Sequence, residues 1–138
     1  MHQASGGCHC GNIRVALKLA LPPGAYNPRA CDCDFCRKHG AAYVSDMRGS
    51  LAIRIKNAEA SVKYRQGSAM AEFLLCGNCG VLVAVFYQSG ARLYAAVNAT
   101  IVEERARFGS SLPASPKLLS DAEKVQRWQD IWFANVSV

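Results

Sequence analysis

"AEFLLCGNCGVLVAVFYQSG", residues 71 to 90, places a cysteine pair between two apolar runs. "AEFLLC" predicts a strand ending in Cys76, and "GVLVAVFYQSG" predicts a long strand closed by Ser89-Gly90. Between them Cys76 and Cys79 are separated by two residues, the spacing of a metal-binding knuckle. Gly77 and Gly80 permit the tight turn, which turns backbone N–H groups toward the sulfurs. "ARLYAAVNA" follows at hairpin distance, with Leu93, Ala95 and Val97 on one side.

The same texture extends upstream. Ile13, Val15, Leu17 and Leu19 alternate with Arg14 and Lys18, the pattern of a half-buried strand, and the turn "LPPG" ends it. Leu51, Ile53 and Ile55 alternate with Arg54 and Lys56, and "SVKYRQG" gives a further strand closed by Gly67. Short strands at this spacing predict a mainly β architecture. Residues 1–138 are expected to form a single domain with its core at about 6–99 and a C-terminal arm and helix at about 100–138. "VEERARFGSSLPASPK" has no strand period and reads as an irregular arm. "SDAEKVQRWQDIWF" opens with a capping box, Ser120 at the N-cap and Glu123 three residues on. Val125, Trp128, Ile131 and Trp132 then recur at helical spacing, so the two tryptophans are expected to be docking contacts of this helix.

The seven cysteines fall into three tight groups, Cys8/Cys10, Cys31/Cys33/Cys36 and Cys76/Cys79. The N-terminal "MHQASGGC" has no apolar run of the secretory kind, and "VLVAVFY" is too short to span a bilayer. The expectation is therefore a cytoplasmic protein with no membrane partner, whose thiols stay reduced and bind metal. Cys8, Cys10, Cys76 and Cys79 make a closed four-sulfur set, a structural site. Cys31, Cys33 and Cys36 supply three corners of a tetrahedron and leave the fourth to water or substrate, the mark of a catalytic zinc. Other groupings satisfy the same counting: one four-cysteine site with three idle thiols, or a redox pair such as Cys33/Cys36. His39 could add a ligand or accept a proton at the second metal, whereas His2 and His9 are weak signals.

The formal charge of +6 invites a nucleic-acid reading. Seven thiolates and two Zn²⁺ ions would lower it to about +3. The basic runs "CRKHG" and "ERARF" are short and lack interleaved aromatics, so a nucleic-acid partner is not expected.

"GGCHCGNIRVAL", "CDCDFCRKHGA" and "FLLCGNCGVLV" together resemble the glutathione-dependent formaldehyde-activating enzyme family, which also includes centromere protein V. The resemblance runs from Gly6 to about Ala99 and covers all seven cysteines; "SLPASPKLLSDAEKVQRW" also resembles the tail of bacterial members. It implies a β-tent fold of layered antiparallel sheets stapled by zinc, with the C-terminal helix appended. It implies two Zn²⁺ per chain, a structural one on Cys8, Cys10, Cys76 and Cys79 and a catalytic one on Cys31, Cys33 and Cys36.

The implied activity is carbon–sulfur lyase chemistry, the addition of a thiol such as glutathione to a small aldehyde such as formaldehyde, or cleavage of the adduct. A three-thiolate Zn²⁺ suits it, since an open position can take the thiol or polarise the aldehyde oxygen. Arg29, Arg37 and Lys38 border the cysteine trio and could meet glutathione's carboxylates. The alternative is a non-catalytic zinc-stapled module that binds nucleic acid or protein. The long apolar strands are compatible with a homodimer.

Overall fold

Two sheets carry the molecule, and the computed structural model describes all of residues 1–138. Strict alternation builds the first. In β2 (Ile13–Leu19) Ile13, Val15, Leu17 and Leu19 are buried while Arg14, Ala16 and Lys18 face solvent. β2 pairs antiparallel with β1 (His2–Gly7) on one edge and with β5 (Ser50–Ile55) on the other. The two-residue β11 (Val136–Ser137) adds in parallel beyond β5.

The second sheet has seven strands in the order β10-β3-β4-β9-β8-β7-β6. These are β3 (Arg29–Cys31), β4 (Ala42–Val44), β6 (Ser61–Tyr64), β7 (Glu72–Cys76), β8 (Leu82–Ser89), β9 (Arg92–Asn98) and β10 (Leu112–Ala114). All its pairings are antiparallel except that of β10 on β3. The two parallel pairings, β10 on β3 and β11 on β5, depart from the expected all-antiparallel layering. Both arise where the C-terminal segment returns over a long crossover, which parallel pairing requires.

The apolar run of β8 does not alternate because both faces are covered. Ala84 and Phe86 pack toward the first sheet with Leu74, Ala95, Val97 and Phe133, whereas Val85 packs on the opposite face with Tyr43, Phe73, Ala96, Trp128 and Trp132. Register slips between Leu74 and Leu75: Leu75 faces Leu82 and Leu74 faces Ala84, so Val83 is an extra residue. That bulge sends Val83 and Ala84 into the same core.

Two helices cover the outer face. α1 (Asp34–His39) starts inside the cysteine trio with Cys33 as its N-cap and ends at Gly40, whose positive φ of 61° closes the last turn. α2 (Asp121–Ile131) has the expected capping box: Ser120 Oγ accepts from Glu123 N at 3.2 Å, and Ser120 N donates to Glu123 Oε1 at 2.9 Å. Trp128 and Trp132 are buried and their rings lie 5.1 Å apart, so the tryptophans dock the C-terminal segment as its spacing predicts. No helix is long and apolar enough to cross a membrane.

Candidate metal centre

Two hairpin turns meet at the junction of the sheets. Cys8 and Cys10 occupy the turn between β1 and β2. Cys76 and Cys79 occupy the turn between β7 and β8. Gly11 and Gly80, with φ of 85° and 80°, close the two turns in a conformation that a side chain resists. Matching backbone bonds shape them: Cys8 N donates to Ile13 O at 2.9 Å and Cys76 N to Val81 O at 3.0 Å. Amides also point at sulfur, Ile13 N at Cys8 Sγ (3.3 Å) and Cys79 N at Cys76 Sγ (3.5 Å).

The four sulfurs lie within 4.8 Å of one another. Cys10 Sγ is 3.7 Å from Cys8 Sγ and 3.6 Å from Cys76 Sγ. Tetrahedral Zn²⁺ with bonds of about 2.3 Å holds its sulfurs about 3.8 Å apart, so the donor set and its spacing fit that ion.

The second group sits on the outer face of the seven-stranded sheet. Cys31 ends β3, Cys33 caps α1 and Cys36 lies in its first turn, and their sulfurs also fall within 4.8 Å of one another. Cys36 N donates to Cys33 Sγ at 3.4 Å, so the helix start orients the second sulfur while it presents the third. Tyr43 Oη lies 3.1 Å from the buried Cys36 Sγ. The Cys36 hydrogen bond holds Cys31 down to about 6. Sharing that proton with Cys31, together with burial, pushes Cys36 up. Three soft sulfur donors with no carboxylate among them suit Zn²⁺ and leave a tetrahedral corner free.

The trio forms one wall of a cavity of about 160 Å³. Tyr43, Phe73, Val85, Trp128 and Trp132 give it an apolar lining. Arg29, Lys117, Lys124 and Arg127 add four cations, and no Asp or Glu reaches it. Arg29 Nη2 donates to Ser45 Oγ at 2.7 Å, and that hydroxyl donates to Ile131 O at 2.7 Å, tying β3 to the end of α2. Burial, and then the like charge of Arg127, lower Arg29 to about 10, which leaves it protonated at neutral pH. The four-sulfur group takes no part in this cavity.

The family model described as glutathione-dependent formaldehyde-activating enzyme matches residues 3–114. The chain belongs to that family. A crystal structure of a Rhodobacter sphaeroides protein is also similar, at 30% identity and a TM-score of 0.56, over 72% of this chain and 87% of that one.

The match of the glutathione-dependent formaldehyde-activating enzyme family contains every cysteine but stops before α2. Lys124, Arg127, Trp128 and Trp132 of the cavity therefore come from a segment beyond it. The residues flagged beside the trio divide. Arg29 lines the cavity, whereas Arg37 is exposed and pairs with Asp34 at 3.2 Å, and Lys38 faces solvent. His39 is also exposed and packs on Phe35, with ring centroids 4.7 Å apart; no histidine nitrogen joins either sulfur group. Tyr43 and Arg127 were not singled out by sequence. Arg127 has a detectable signal in hindsight, since it precedes Trp128 on a helix whose buried stripe runs through that tryptophan.

Proposed function

We propose that the chain catalyses carbon–sulfur bond chemistry, adding a thiol such as glutathione to a small aldehyde such as formaldehyde, or running the cleavage. The supporting observation is the unequal setting of the two sulfur groups. Four sulfurs close on themselves at a junction of hairpins, and three open onto a cavity lined by aromatics and cations. On this reading Cys8, Cys10, Cys76 and Cys79 hold a structural Zn²⁺, and Cys31, Cys33 and Cys36 hold a catalytic one. A Zn²⁺ bound by Cys31, Cys33 and Cys36 would supply Lewis acidity that could keep a thiol deprotonated near neutral pH or draw charge from a carbonyl oxygen.

The protein's own residues do the rest. Tyr43 Oη lies 3.1 Å from the Cys36 sulfur, and once Cys36 is held as a thiolate the phenol would donate to it and spread its negative charge. Trp128 and Trp132 exclude water from the reacting atoms, and the cavity brings thiol and carbonyl together. In the addition the sulfur bonds to the carbonyl carbon, the C=O π bond breaks, and the thiol's proton ends on the oxygen. Nothing is oxidised or reduced. The 138 residues act as one domain, with the arm and α2 completing the cavity around the core.

Elemental analysis should find about two zinc ions per chain, one easier to chelate. Cys31→Ser, Cys33→Ser or Cys36→Ser should abolish thiol–aldehyde addition with circular dichroism unchanged. Cys76→Ser should damage folding, because structural zinc contributes directly to stability. Unfolding by Cys36→Ser but not by Cys76→Ser would reverse the assignment.

A further inference from the structure

The cations of the cavity are unusually poorly partnered. The chain's five ion pairs involve Arg14, Arg37, Lys63, Arg65 and Lys117, and the Lys117 pair with Asp32 is loose at 3.9 Å. Arg29, Lys124 and Arg127 form none. The Arg29 side chain makes a single hydrogen bond, to the neutral Ser45 hydroxyl. Three thiolates and one Zn²⁺ carry a net charge of −1, which leaves most of this positive charge unbalanced. Like charges beside a low-dielectric aromatic wall repel strongly, and a bound anion relieves that repulsion. A guanidinium matches a carboxylate by two parallel hydrogen bonds.

Size narrows the anion. A cavity of about 150 Å³ holds a molecule of benzene's size, so about 160 Å³ encloses roughly six non-hydrogen atoms. A two- or three-carbon thiol acid fits inside. The cavity is open to solvent on one side, so a longer thiol such as glutathione would seat only its sulfur end here.

We propose that the cavity selects a small thiol carrying a carboxylate, held by Arg29 of the core and Arg127 of α2, with Lys124 of the same helix adding its charge. This rests on the reading of the cysteine trio as the thiol-binding centre and deepens it. The selecting groups Arg127 and Lys124 lie outside the segment matched by the family, so the helix gives this chain its own preference on a shared sulfur framework. The carboxylate is a spectator: it positions the thiol sulfur toward Cys31, Cys33 and Cys36 and takes no part in bond making.

Trp128 and Trp132 are the chain's two tryptophans and both line the cavity, so their fluorescence reports its occupancy. The zinc-loaded protein is titrated with mercaptoacetate, 2-mercaptoethanol and glycolate. Mercaptoacetate should bind about tenfold or more tighter than 2-mercaptoethanol, the worth of one charge-assisted contact. Arg127→Gln should remove most of the mercaptoacetate advantage while leaving 2-mercaptoethanol binding unchanged, Arg127→Lys should restore part of it, and Lys124→Gln should reduce it. Equal binding of mercaptoacetate and 2-mercaptoethanol by the unmutated protein overturns the carboxylate clamp. So does an advantage that survives Arg127→Gln. If glycolate matches mercaptoacetate and both exceed 2-mercaptoethanol, the clamp stands and the thiol-centre reading falls.

Discussion

Tyr43→Phe isolates one hydroxyl at the cysteine trio. The phenol oxygen lies 3.1 Å from Cys36 Sγ, and the two residues are 6% and 1% exposed. Burial, and then the neighbouring Cys36 charge, push the phenol up, so it stays protonated and acts as donor. Phenylalanine keeps the ring, its place in β4 and its packing in the outer cluster with Phe73, Val85 and Ala96. The loss is then one hydrogen bond to a buried thiolate, worth about 1.5–3 kcal/mol. Zinc affinity at the trio should fall about tenfold to a hundredfold, the usual range for a group that supports a ligand. Competition against a graded series of chromogenic chelators resolves the two ions, and a thermal melt monitors the fold. The tight ion should be unaffected and the weaker one should leave at lower chelator strength. A shift below about threefold would show that the hydroxyl does not support the thiolate, since it falls well short of one such bond. Equal weakening of both ions would show that the substitution acts through the sheet.

Two further outcomes concern the frame that holds the site. Burial opposes ionisation of Asp46, but hydrogen bonds from Tyr26 Oη (2.6 Å), Ala20 N (2.9 Å) and Arg48 N (2.9 Å) outweigh it and hold its carboxyl below the usual range. Its contribution is present above the unfolded value of about 3.9 and disappears as pH falls through the lower folded value. Urea titrations should therefore show Asp46→Asn destabilised by about 2 kcal/mol at neutral pH, with the difference from the unmutated protein shrinking below about pH 4; a pH-independent difference refutes the charged role. Ser120→Ala removes half of the α2 capping box and should cost about 1 kcal/mol by the same titration. It should also loosen the cavity wall, seen as greater quenching of the tryptophans by acrylamide.

The strands that alternate or sit beside a turn were legible: β2, β5, β7, β8, β9 and the start of α2 follow from period and punctuation. β1 was not, because "HQASGG" has no apolar face and its strand form depends on pairing with β2. β3, β4 and β10 are three residues each, too short to show a period, and are defined by their neighbours. α1 hid inside a metal motif because its cap is a cysteine sulfur rather than a hydroxyl or carboxylate. Its closing signals, Arg37, Lys38 and His39 in the last turn and Gly40 after it, were present. The grouping of cysteines was legible because ligand chemistry confines it to short spacings. The cavity's cations were only half legible: Arg29 is adjacent in sequence, but Arg127 arrives through the docking of a helix nearly a hundred residues away.

The sulfur quartet joins turns that belong to different sheets, and the residues it brings together stand 66 apart between Cys10 and Cys76. On a growing polypeptide the first pair of thiols leaves the ribosome long before the second exists. The opening hairpin must therefore wait, its apolar side uncovered, until the second knuckle is made. Zinc supply would then act as a checkpoint in biogenesis: severely starved cells should accumulate a half-assembled chain that proteases remove.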